Sequence, residues 1–144
     1  MERRKFVKDC CVLAIGLPVM GTLFGSCTTR HFVLANFSNN RFLVKKTEFE
    51  YLKKDKLHFR DAVFIRTDGG FPICLFKMNE DRYIASLMQC THQSCETQLE
   101  GNLFVCPCHG SEFALDGELL KGPADSDLKT YKTETDDENI YIYI

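Results

Sequence analysis

The rhythm of apolar and polar positions changes once along this chain, near residue 27. From Cys10 to Ser26 no charged residue interrupts the sequence, and Arg3, Arg4, Lys5 and Lys8 stand just before it. Further on, apolar residues come in short runs parted by polar and glycine-containing stretches, the pattern of strands rather than helices. Runs at 62–67 and 71–77 flank Asp68-Gly69-Gly70, a turn signal. Runs at 83–88 and 102–105 each lead into a segment rich in cysteine and histidine, and runs at 128–133 and 140–144 finish the chain around a polar stretch at 136–139. No long stretch has helical periodicity, so the expected fold is all-β, an antiparallel sandwich or barrel with a small subdomain at one end. Residues 28–43 are expected as part tether and part first strand, and the domain over 44–144. Phe59, Phe64, Phe71, Phe76 and Phe104 are expected in the core, with Cys74, between Ile73 and Leu75, as a buried thiol. His31 and His58 have no cysteine at ligand spacing, so exposure or local hydrogen bonding is expected of them.

Composition narrows the function classes. The sequence has 144 residues, 44% apolar and 26% charged, which fits one globular domain of roughly 100 residues behind the N-terminal segment. Net charge is −2 overall; residues 1–29 carry four basic and two acidic groups, so the remainder sums to −4. With that sign, no basic face and an acidic stretch at Asp136, Asp137 and Glu138, nucleic-acid binding is excluded.

The charged region and apolar region at 1–27 have the layout of an export signal. The arginine pair resembles the twin-arginine signal, an ordinary secretory signal being the alternative. Leu23-Phe24-Gly25-Ser26-Cys27 resembles a lipobox, with Phe24 as a departure. Lipid attachment at Cys27 is therefore the expectation, ahead of an uncleaved anchor or release. The run is short for a spanning helix and contains Gly16, Pro18, Gly21 and Gly25.

The eight cysteines fall into three groups: Cys10, Cys11 and Cys27 in or at the end of the first segment, Cys74 alone, and Cys90, Cys95, Cys106 and Cys108 close to two histidines. Only the last group carries chemistry. It forms two boxes, Cys90-Thr91-His92-Gln93-Ser94-Cys95 and Cys106-Pro107-Cys108-His109-Gly110-Ser111. Thiolates are soft, strongly donating ligands for iron and sulfide, whereas neutral imidazoles donate less, so two of each can be shared unequally between two irons. A zinc site usually places its cysteines as one pair and its histidines as another, unlike this order. Two plain disulfides would leave His92 and His109 without a role.

The boxes resemble those of the Rieske family, which read CxHxxC and CxCHxS. The resemblance implies one 2Fe-2S cluster, with Cys90 and Cys106 on the buried iron and His92 and His109 on the iron nearest solvent. It also implies a disulfide between Cys95 and Cys108, as in relatives of the cytochrome bc complex; Rieske ferredoxins of ring-hydroxylating oxygenases generally lack that pair. A disulfide fits a compartment outside the reducing cytoplasm. Ser111 matches a serine that donates to a bridging sulfide in high-potential members, which favours the reduced cluster. Phe113 stands where many quinol-oxidising relatives have a donating tyrosine, so a potential toward the middle of the range of about −150 to +300 mV is expected. Gly122-Pro123-Ala124 resembles the proline loop that covers the cluster, with Asp125 where a second proline is common.

The function implied is one-electron transfer by an exported, membrane-attached protein on the periplasmic side of the cytoplasmic membrane. The first expectation is the iron-sulfur subunit of a quinol-oxidising complex, with quinol, cytochrome b and cytochrome c as partners. The second is a small electron relay or carrier for a periplasmic molybdenum oxidoreductase of the arsenite-oxidase kind. A purely structural module is the third. No catalytic base or substrate pocket stands out, so any enzymatic activity belongs to the assembly.

Overall fold

Strands sandwiched between two apolar layers read as unbroken apolar runs, and the centre of this protein is built from them. The computed structural model describes residues 30–68 and 70–144. Strands β6 (Ala62–Ile65), β7 (Ile73–Lys77) and β8 (Tyr83–Leu87) pair antiparallel, with Val63 opposite Leu75 and Phe64 opposite Cys74. Because side chains alternate between faces, Val63, Ile65, Ile73 and Leu75 enter one core, and Phe64 and Cys74 enter a second on the opposite face. Both faces of these strands are buried against apolar side chains, which is why the sequence shows no alternation here.

The sheet continues through β13 (Thr130–Thr135) and β14 (Asn139–Tyr143), where alternation does appear. Ile140 and Ile142 are fully buried in the first core, while Asn139, Tyr141 and Tyr143 are half-buried on the other face. Their connection is closed by Asp136, whose carboxylate accepts the Tyr141 hydroxyl at 2.7 Å and the backbone N–H groups of Glu138 at 2.9 Å and Asn139 at 2.7 Å. The Tyr141 hydroxyl first and these N–H groups next hold the Asp136 pKa down to about 2.

From Phe32 onward the segment expected as part tether and part first strand is paired into the sheet. It supplies β1 (Phe32–Val33), β2 (Asn36–Ser38) and β3 (Arg41–Lys45), giving the eight-stranded order β1-β6-β7-β8-β13-β14-β3-β2. β3 pairs with β14, so Val44 is placed opposite Ile140 and buried. That partner lies nearly a hundred residues away, which explains why local pattern did not reveal the strand. The β1–β6 pairing is parallel, a departure from an otherwise antiparallel sheet. The N-terminal export and lipidation motifs, Cys27 included, lie outside the described residues.

Two smaller sheets complete the chain. β4 (Glu50–Lys53) and β5 (Lys56–Phe59) form a hairpin after a single 3-10 turn over Lys46–Phe49. Phe59, expected in the core, is 59% exposed: among the described residues no second layer covers that hairpin, and the Lys77 ammonium lies 5.7 Å from its ring. Phe71 is half-buried, whereas Phe64, Phe76 and Phe104 are buried as expected. Cys74 is fully buried, and burial pushes its thiol up to about 12, so it stays neutral. His31 bonds Glu48 at 3.1 Å and His58 stacks on Tyr51.

The third sheet, in the order β12-β11-β10-β9, contains β9 (Gln98–Glu100), β10 (Leu103–Val105), β11 (Glu112–Ala114) and β12 (Leu119–Lys121). It packs through Phe104, Phe113 and Leu99 onto the second core, against Phe64 and Cys74 of the main sheet. The Ser86 hydroxyl ties the two sheets by donating to the Leu115 carbonyl at 2.8 Å.

Candidate metal centre

The two boxes hang from different sheets and form the same turn. The first follows β8, through the buried Met88, and the second follows β10 directly. In the first, the Cys90 N–H donates to the Cys95 carbonyl at 2.8 Å and the Ser94 N–H to the Cys90 carbonyl at 2.9 Å. In the second, the Cys106 N–H donates to the Ser111 carbonyl at 2.8 Å and the Gly110 N–H to the Cys106 carbonyl at 2.9 Å. The offsets along the chain are identical, and the fifth residue of each has positive φ, 54° at Ser94 and 76° at Gly110.

This repeated backbone sorts the donors by depth. Cys90 and Cys106, the first residue of each turn, are 1% exposed and free. His92 and His109 are exposed, with ring centroids 5.1 Å apart and planes at 89°. Burial raises the Cys90 pKa most strongly; the His92 N–H and the Ser111 hydroxyl pull it down, and Cys106 pushes it up. A free buried thiol pair of this kind suits a cationic centre that would take both as thiolates.

Cys95 and Cys108 are joined by a disulfide that spans the two turns, with their Cα atoms 6.5 Å apart. The sulfurs of Cys95, Cys106 and Cys108 lie within 4.8 Å of one another. That trio is no ligand set, because two of its members have spent their thiolates on each other. The donors left for a metal centre are two thiols on the inside and two imidazoles on the outside, and this set fits a two-iron cluster with unequal ligands.

The proline segment closes over both turns. The Ala124 N–H donates to the buried Ser111 hydroxyl at 3.0 Å, and the Thr91 hydroxyl donates to the Ser126 carbonyl at 2.6 Å. Gly122 and Pro123 are exposed, while Ala124 is buried against the second core. Asp125 is exposed. Phe113 is fully buried and faces Phe104 across β10 and β11. Thr91 and Ser94 were not singled out from sequence: a hydroxyl inside a ligand box is too common a feature to signal a brace, and serine rarely takes positive φ.

Comparison with known proteins agrees with this arrangement. The family described as "Rieske [2Fe-2S] domain" matches residues 47–132. The iron-sulfur subunit of the cytochrome b6-f complex of Synechococcus sp. strain JA-2-3B'a(2-13) is 40% identical over 53 residues, covering 35% of this chain and 31% of that protein. The corresponding subunit of Chlorobaculum thiosulfatiphilum is 34% identical over 79 residues, covering 47% of this chain and 44% of that one. The chain thus spans less than half the length of these relatives. Among solved structures, the plasma-membrane Rieske protein of Synechocystis PCC 6803 is similar with a TM-score of 0.52 and 37% identity, over 58% of this chain and 87% of that one.

Proposed function

Because the chain belongs to the Rieske [2Fe-2S] domain family, we propose that it is a one-electron carrier and the iron-sulfur subunit of a quinol-oxidising complex of the cytochrome bc or b6-f type. A Rieske domain binds one 2Fe-2S cluster, and that cluster when bound supplies a one-electron couple. The observation carrying the proposal is the pair of matched turns, which sets two buried free thiols beneath two exposed imidazoles and locks the turns with a disulfide. In this reading Cys90 and Cys106 hold the inner iron away from water, and His92 and His109 hold the outer one.

The remaining residues then have definite tasks. The exposed imidazoles each keep one ring nitrogen for iron and leave the other at the surface, where it holds or releases a proton and meets a hydrogen-bond donor such as a quinol hydroxyl. The Ser111 hydroxyl would donate to a bridging sulfide and favour added negative charge, while Phe113 offers no donor, so the potential falls toward the middle of the Rieske range. Gly122, Pro123 and Ala124 limit water at the thiols. Cytochrome b and cytochrome c as partners, export by the twin-arginine-like segment and lipid attachment at Cys27 belong to the same proposal and rest on sequence pattern and on the kind of subunit the relatives are.

Anaerobic protein is expected to contain two irons and two sulfides per chain, with a reduced-state EPR spectrum of low average g, and Cys106→Ser to lose them. A chain lacking iron and sulfide would overturn the assignment. Purification from native membranes tests the complex: a cytochrome b partner supports it, and a molybdenum enzyme in its place favours the electron-relay role.

A further inference from the structure

Among the described residues, the β4–β5 hairpin alone forms a sheet by itself, and none of its residues enters either core. Its register places Leu52 opposite Leu57 and Glu50 opposite Phe59 on one face, and Tyr51 opposite His58 and Lys53 opposite Lys56 on the other. Leu52 is 74% exposed, Leu57 54% and Phe59 59%. The hairpin is therefore amphipathic, yet its apolar face meets no part of the described chain that would bury it.

Two local rules are broken at the tip. Lys53 and Lys56 face each other directly, where like charges repel. Lys54 and Asp55 both have positive φ, 52° and 58°, in a turn that ordinarily favours asparagine and glycine. The base shows no such conflict. The Arg60 N–H donates to the Phe49 carbonyl at 2.8 Å, and its guanidinium donates to the Glu48 carbonyl at 2.6 Å and lies 4.9 Å over the Tyr51 ring, which in turn stacks on His58. A firmly seated base that presents a locally unfavourable tip places the compensation outside the chain.

Charge identifies the occupant. Residues 52–57 carry three lysines and one aspartate, within a described domain that sums to −4. Exposed aliphatic and aromatic side chains on one face, with lysines on the other and at the tip whose long stems are able to snorkel, is the layout of an element lying in an anionic lipid interface. We propose that the β4–β5 hairpin docks on an anionic bilayer, with Leu52, Leu57 and Phe59 in the interface and Lys53, Lys54 and Lys56 among the headgroups. The hairpin follows Phe49, whose ring lies 5.4 Å from that of Tyr83 at the start of β8, whereas the first cysteine–histidine turn follows the other end of β8, at Leu87, and the second follows β10, so docking leaves His92 and His109 free for a partner. This proposal does not depend on the redox assignment.

The chain contains no tryptophan, so Leu57→Trp in the full-length protein gives a single reporter. On vesicles of phosphatidylcholine mixed with phosphatidylglycerol, its emission is expected to shift to the blue and to be quenched by bromine on the acyl chains. Phosphatidylcholine alone gives neither effect, and adding Lys53→Gln, Lys54→Gln and Lys56→Gln removes both, each lysine contributing about fivefold to hairpin partition. The N-terminal apolar segment is common to all these proteins, so co-sedimentation through it does not imitate the signal. Emission unchanged on mixed vesicles that carry the protein down would overturn the proposal, as would a shift produced by an acidic protein and not by lipid. Phe59→Trp provides a second reporter should the first variant fail to give wild-type circular dichroism.

Discussion

Turn 90–95 and turn 106–111 share one backbone and are braced by different means. At the sixth position Cys95 reaches across to Cys108 of the other turn, while the Ser111 hydroxyl accepts the Ala124 N–H. Below them the first turn continues an eight-stranded sheet, and the second continues a four-stranded sheet with three-residue strands. The backbone decides where the donors go; side chains and supporting sheets decide how firmly they stay. The second turn depends more on its packing, since its strands contribute few hydrogen bonds.

The strongest way to break that comparison is to remove the packing under the second turn. Phe104→Ala is expected to cost about 3–5 kcal/mol, as is usual for emptying a buried aromatic site, and to release the visible absorption of the centre at lower urea than the far-UV signal. Ile142→Ala, in the first core, costs about 2–5 kcal/mol and loses both signals together. Coincident loss in Phe104→Ala would show that the small sheet has no separate weakness. Next in size is the covalent link: replacing Cys95 and Cys108 by serine opens a bridge of sequence separation 13, worth about 3 kcal/mol by loop entropy. An unchanged urea midpoint in that double variant would mean that the hydrogen bonds alone hold the turns together.

Ser111→Ala acts on the second turn only. It leaves the buried Ala124 N–H without its acceptor, at a cost of about 1–3 kcal/mol, and removes the hydroxyl that favours the charged form of Cys90. Loss of that hydroxyl disfavours the more negative, reduced centre, so redox titration should read a lower potential. A potential that stays in place would detach Ser111 from the electronics and leave it a purely structural brace.

What could be read from the sequence follows the same division. The cysteine–histidine boxes are local: the spacing within 90–95 and 106–111 holds all four candidate donors, so they stand out without knowledge of the fold, whereas the turn they share appears only in the backbone. The strands β6, β7 and β8 were legible because burial on both faces wrote long apolar runs. β3 was not delimited because its partner is β14, at the other end of the chain, and β9, β11 and β12 because three mixed residues display no period, whereas β10, equally short, is apolar throughout. Phe59 misled because an aromatic in a strand signals core only where a second layer covers that strand. The Cys95–Cys108 link came from resemblance, since spacing alone leaves the pairing of four cysteines open.

The finest test exchanges the fifth residues of the turns. A Cβ built at Gly110 meets nothing within 4 Å, so any cost of Gly110→Ser arises from its φ of 76° and not from a clash. That cost should be about 1–2 kcal/mol, the usual penalty for a side chain in the left-handed region. Ser94 already bears such a strain at 54°, partly offset by the exposed bond it accepts from the Gln89 amide at 3.0 Å. Ser94→Gly relieves the strain but loses that bond and frees the unfolded chain, so it should change stability by no more than about 1 kcal/mol in either direction. The asymmetry is the point: if the two turns share one backbone in solution, glycine is tolerated at both fifth positions, and serine at the second costs more than glycine at the first. Urea midpoints in which Gly110→Ser is silent would mean that the second turn does not hold positive φ at residue 110, and the equivalence of the turns would fail.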